Sequence, residues 1–85
     1  MKSFDYTIRD EIGIHARPAG ALAKLAKQFS SKITISKGDN TVNAEKLMML
    51  MGLGIKQGDT VTVCVVGEDE ELAAESIKGF FEDNL

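Results

Sequence analysis

Residues 4–29 read FDYTIRDEIGIHARPAGALAKLAKQF, and within this stretch the apolar period changes once. Phe4, Tyr6 and Ile8 alternate with Asp5, Thr7 and Arg9, the period of a strand with one face covered, at an edge or half-buried. Asp10-Glu11-Ile12-Gly13 breaks that alternation. Pro18 then suits a first helical turn, where its missing amide hydrogen has no intrahelical acceptor to lose. Leu22, Leu25, Ala26 and Phe29 recur at i, i+3, i+4 and i+7, one face of a helix of about three turns. A strand, a glycine-broken loop and a one-sided helix follow in immediate succession.

The same grammar extends to the C-terminus. Ser30-Ser31 closes the first helix, and Ile33 and Ile35 alternate as a second strand. Lys37-Gly38-Asp39-Asn40 is a hairpin turn into a short return strand at residues 41–43. Residues 44–51 are apolar-rich and built of good helix formers, with Gly52-Leu53-Gly54 as the stop. After the turn Gln57-Gly58-Asp59, residues 60–66 read as a central strand, ended by Gly67. Asp69, Glu70 and Glu71 supply the negative charge a helix N-terminus favours, and Leu72, Ala73, Ile77 and Phe80 line one face of the third helix. Gly79 costs that helix about 1 kcal/mol relative to alanine, so its last turn is expected to loosen or end early. The order βαββαβα, with every helix apolar on one side, predicts an α+β open-faced sandwich: a four-stranded antiparallel sheet with three helices on one face.

Composition narrows the function. Eighty-five residues, 44% apolar and 27% charged, make one globular domain over 1–85. Ten basic and thirteen acidic side chains give a net charge of −3, the wrong balance for a nucleic-acid partner. The acids concentrate at residues 68–71 and near the C-terminus, whereas Lys24, Lys27, Lys32 and Lys37 lie in the first half, a mild asymmetry suited to steering an acidic protein surface. Cys64 has no internal partner for a disulfide and sits in a strand, where a small half-buried apolar residue fits. No apolar stretch approaches the ~20 residues that span a bilayer, and no leader is visible, so a cytoplasmic chain without membrane insertion is expected. Nothing requires more than a monomer.

Chemistry concentrates in Gly13-Ile14-His15-Ala16-Arg17-Pro18. The only histidine of the chain stands where a loop becomes a helix, and the first amides of a helix lack intrahelical acceptors and carry the positive end of the dipole. Such a position holds a phosphoryl group through backbone N–H donors, here Ala16 and Arg17, with Ala19 and Gly20 next in line. Imidazole is a nucleophile near neutral pH, and Arg17 supplies charge for the equatorial oxygens in transfer. A histidine followed by an arginine is commonly just a surface or cap pair; glycine before, proline after and a one-sided helix beginning at once favour the chemical reading. Leu47, Met48, Met49, Leu50 and Met51 are five consecutive apolar residues, more than one face of a short helix buries. An exposed methionine-rich patch adapts to several partners.

With those residues in view, the chain resembles the HPr family, the histidine-containing phosphocarriers of the phosphoenolpyruvate-dependent sugar phosphotransferase system. Residues 13–19 carry the resemblance, and a second segment from Val42 through Leu47-Met48 to Met51, Leu53-Gly54-Ile55 and Gly58 supports it. The similarity runs from about residue 4 to residue 82. It implies an open-faced β-sandwich, phosphorylation of His15 on Nδ1 by Enzyme I, transfer to a histidine of Enzyme IIA, and assistance from Arg17. It also implies that Leu47, Met48 and Met51, with Gly20, form the docking surface beside the histidine. Many members carry a serine phosphorylated by an ATP-dependent kinase just before the second helix; here Lys46 follows Glu45, so that regulation is not expected. Gly20 and Met49 also depart from the residues common at their positions and bear on partner choice.

Other classes fit less well. A regulatory module of the same fold acting by protein contact, or a paralogue serving a non-sugar phosphorelay, would have nearly the same sequence and is the alternative. An autonomous enzyme would need a second acid–base group or a metal, yet there is one histidine, one cysteine and no HxxxH or CxxC spacing, so no cofactor is called for. A ferredoxin-like RNA binder would need stacking aromatics on the second and third strands, which are lacking.

Overall fold

The computed structural model describes residues 1–85. Its elements are β1 (Lys2–Thr7), α1 (Ala16–Ala26), β2 (Lys32–Lys37), β3 (Asn40–Asn43), α2 (Leu47–Gly52), β4 (Thr60–Val66) and α3 (Glu70–Asn84). The four strands form one antiparallel sheet in the order β1-β4-β2-β3. β4 is therefore flanked on both sides, with Val63 opposite Phe4 of β1 and Ile35 of β2.

Strand alternation sorts the side chains into two environments. Val61, Val63 and Val65 of β4 and Ile33 and Ile35 of β2 are buried beneath the helices. α1 adds Ala19, Leu22, Ala23 and Ala26, α2 adds Leu50, and α3 adds Ala73, Ile77 and Phe81. Phe81 is the largest of these, and the rings of Tyr6 and Phe4 meet it edge-on at centroid distances of 5.3 and 6.1 Å. The other sheet face carries hydroxyls paired with neighbours. Thr62 Oγ1 donates to Asp5 Oδ1 at 2.7 Å, and the Thr7–Thr60 and Ser36–Thr41 hydroxyl pairs are each 2.8 Å apart. Helices on one face and a polar opposite face make the open-faced α+β sandwich expected from the sequence.

Three element details differ from that expectation. α2 starts at Leu47 rather than Ala44, because Ala44 is still tied to the sheet by its amide donating to Ile33 O at 2.9 Å. Asn43 Oδ1 then accepts the amide of Glu45 at 2.8 Å and turns the chain before the helix begins. α1 ends at Ala26, and Phe29 packs half-buried from the turn beyond it. α3 runs through Gly79 to Asn84, and its buried stripe is Ala73, Ile77 and Phe81; Phe80 is half-buried and Leu72 is exposed. The burial of Phe81 outweighs the roughly 1 kcal/mol penalty of the glycine.

Two polar clasps close the layers. The Asp69 carboxylate, just ahead of α3, accepts the amides of Ser30 and Ser31 at 2.9 Å each and also the Ser31 hydroxyl. These bonds, the Ser31 hydroxyl first, hold the Asp69 carboxyl below the usual carboxylate range. At the opposite end, Lys37 Nζ donates to Gly54 O at 2.8 Å and pairs with Asp59 Oδ2 at 2.9 Å. Asp59 Oδ2 also accepts the Lys56 amide at 2.8 Å, and the Lys37 bond is the main reason its carboxyl is held low.

Candidate functional site

The loop before α1 is shaped by what lies behind it. Gly13 has a φ of +81° and lies flat on the peptide joining Ile55 to Lys56; a Cβ there would stand 2.7 Å from Lys56 Cα. The next amide, Ile14, donates to Ile55 O at 3.1 Å, and both Ile14 and Ile55 are buried. Behind that contact stands the Lys37–Asp59–Gly54 clasp. His15, one residue on, is presented from a fixed base.

His15 is the N-cap residue of α1, with extended backbone at φ −112° and ψ −173°. Its side chain makes no capping hydrogen bond, so the imidazole is free for other chemistry. The His15 carbonyl accepts the amide of Ala19 at 2.9 Å, the first bond of the helix. Ala19 is thereby spent, which corrects the expectation that it stands next in line as a donor, and Pro18 has no amide hydrogen. Ala16 and Arg17 remain as the orphan donors of the first turn. Arg17 is exposed and engaged in no ion pair or side-chain hydrogen bond. His15, Arg17 and Pro18 line one side of a surface cleft of about 300 Å³, with Asp10 and the α3 residues Phe80 and Asn84 also lining it.

A second, wider groove of about 590 Å³ runs between α1 and α2. Gly20, Leu47 and Met48 line it together, as do Lys24, Lys27 and Lys46. The five consecutive apolar residues divide as one short helix requires: Leu50 is fully buried, whereas Met48 is 76% exposed, Met49 55% and Met51 40%. Met51 is exposed without lining the groove. Met49 does line it, although the docking set expected from the sequence holds only Gly20, Leu47, Met48 and Met51; its place in the apolar run is the available signal. Ile12, in the loop before His15, is a further large apolar residue left exposed, and no periodicity in its loop announced it.

Comparison with known proteins extends the geometry. The family model described as "PTS HPr component phosphorylation site" matches residues 2–83. The phosphocarrier protein HPr of Mycoplasma capricolum is 41% identical over 78 residues, covering 92% of this chain and 88% of its own. Among solved structures, a mycoplasmal histidine-containing phosphocarrier superposes with a TM-score of 0.93 at 39% identity, over 96% of this chain and 93% of that one. HPr from Thermoanaerobacter tengcongensis superposes with a TM-score of 0.92 at 37% identity, over 98% and 93%.

Fold and site together define a class: small open-faced sandwiches that present one histidine at the mouth of their first helix. Within that class, the chain belongs to the HPr family, the phosphocarriers of the phosphotransferase system.

Proposed function

We propose that this chain takes a phosphoryl group from phospho-Enzyme I onto His15 and passes it to Enzyme IIA proteins in sugar uptake, in the cytoplasm, acting as one domain. The observation that carries the reading is an unbonded imidazole at the N-cap of α1, beside the orphan amides of Ala16 and Arg17. Family membership supports the donor and acceptor classes.

In the proposed step, the lone pair of one ring nitrogen attacks the phosphorus of a phosphohistidine on the donor. The donor's P–N bond breaks, and its imidazole leaves with the electron pair. The proton that the His15 ring sheds balances the proton that the departing ring takes up, so no outside acid or base is consumed. The metaphosphate-like group in flight carries its charge on equatorial oxygens, where the Ala16 and Arg17 amides and the Arg17 guanidinium stabilise it. The reverse sequence unloads it. The chain has no turnover of its own, because its partners hold the second reacting group in each direction.

Docking falls to the surface beside the site: Gly20, Leu47, Met48 and Met51, joined by Met49. Exposed methionines repack against differently shaped partners, and Lys24, Lys27 and Lys46, which outnumber Glu45 along the groove, favour acidic ones.

The test is intact-mass measurement after incubation with Enzyme I and phosphoenolpyruvate. One acid-labile phosphoryl adduct, missing from a His15→Ala variant, is the expected result. No adduct on the wild-type chain, or an adduct retained in His15→Ala, overturns the reading.

A further inference from the structure

The cleft beside His15 is lined by an acidic residue, Asp10, as well as by Arg17. Asp10 is fixed by its backbone: its amide donates to Leu85 O at 2.8 Å and its carbonyl accepts the Gly13 amide at 3.1 Å. Its Oδ1 accepts the Ile12 amide at 2.9 Å, an Asx turn that an asparagine would also make and a serine would make more weakly. The charge is therefore surplus to the turn. No cation pairs with it, and Arg17 is equally unpaired. An acid without a cation partner thus borders the space into which a dianionic group would arrive.

We propose that Asp10 tunes the loaded state of His15: its carboxylate repels the bound phosphoryl group and competes with it for Arg17, making the group readier to leave. The inference rests on His15 being the acceptor. A carrier must both load and unload, and a nearby acid weakens the loaded state selectively, because only that state carries the added negative charge. Across a solvent-open cleft at low ionic strength, Coulomb repulsion of this kind shifts the loading equilibrium about threefold, and salt screens it.

Asp10→Asn removes the charge and keeps the oxygen that accepts the Ile12 amide. Wild type is first loaded with phosphoramidate, a donor that needs no partner protein; failure at this step overturns the acceptor reading and the Asp10 proposal with it. Equal amounts of wild type and isotopically labelled D10N are then mixed with catalytic Enzyme I and limiting phosphoenolpyruvate, and the loaded fraction of each is read by mass. The expected partition favours D10N by about threefold at low salt and falls towards equality at high salt. Asp10→Ser, with a turn acceptor of different shape, is expected to give the same ratio. Equal partition at low salt, or a preference that salt does not change, overturns the role of Asp10 while leaving His15 as acceptor.

Discussion

The amide of Ile14 donates to the carbonyl of Ile55 at 3.1 Å, so the loop that follows α2 carries the residue that precedes His15. Gly13 makes that bond reachable by lying against the same peptide with a φ of +81°. Gly13→Ala adds both a strained backbone and a collision with Lys56 Cα at 2.7 Å. Gly38→Ala is the control, because φ there is also positive, at +60°, yet nothing lies within 4 Å of the added methyl. Gly38→Ala is expected to cost about 1–2 kcal/mol, and Gly13→Ala about 1–3 kcal/mol more. Denaturant titration of the two variants checks this; equal costs would mean that the Gly13 contact is dispensable.

Arg17 touches no other side chain through a hydrogen bond or ion pair, so its removal should leave the fold alone. Arg17→Ala is expected to unfold within about 0.5 kcal/mol of wild type. Its rate of phosphorylation by Enzyme I should fall roughly 10- to 100-fold, the worth of one charge-assisted hydrogen bond in transfer. Stopped-time mass measurements against denaturant titration separate the two effects.

Neighbours in α2 should respond oppositely. Leu50→Ala opens a cavity in the core and is expected to cost about 2–5 kcal/mol. Met48→Ala, at a side chain 76% exposed, should leave stability within about 0.5 kcal/mol. If the α2 surface docks partners, Met48→Ala should raise the KM of Enzyme I for this chain with kcat nearly unchanged, since uniform binding alone is lost. A lowered kcat at constant KM would place Met48 in the transfer step instead.

The clasp at Asp69 has a pH signature. Its carboxyl is held below the usual range by the Ser31 hydroxyl and the Ser30 and Ser31 amides. An unfolded aspartate titrates near pH 4, so the extra stability is fully present above about that pH and disappears as the pH falls through the lower folded value. Asp69→Asn should lower the denaturation midpoint at pH 7 and flatten the acid limb of the stability curve. An unchanged acid limb would show that other carboxylates govern it.

The strands and the one-sided helices were legible because burial on one face imposes a period, and β4 and α1 obey it over many residues. What escaped was set by tertiary contacts. Ala44 follows the strand into a helix-forming run but stays bonded to Ile33, and α3 rotates to bury Phe81 rather than Phe80, leaving Leu72 exposed, because Tyr6 and Phe4 receive the Phe81 ring. At the site, His15, Ala16 and Arg17 could be named from local sequence, since a helix mouth is a local event. Asp10 and Phe80 could not, because only the closing of α3 onto the loop brings them to the same cleft.

Cys64 lies mid-strand on the hydroxyl-bearing side of the sheet, between Ser3 and Thr34 and pointing away from every helix. As the sole thiol, it is a built-in attachment point on the molecule's reverse side. A dye or surface tether coupled there would leave α1 and α2 facing solution, so encounters with Enzyme I can be watched without crowding the helices.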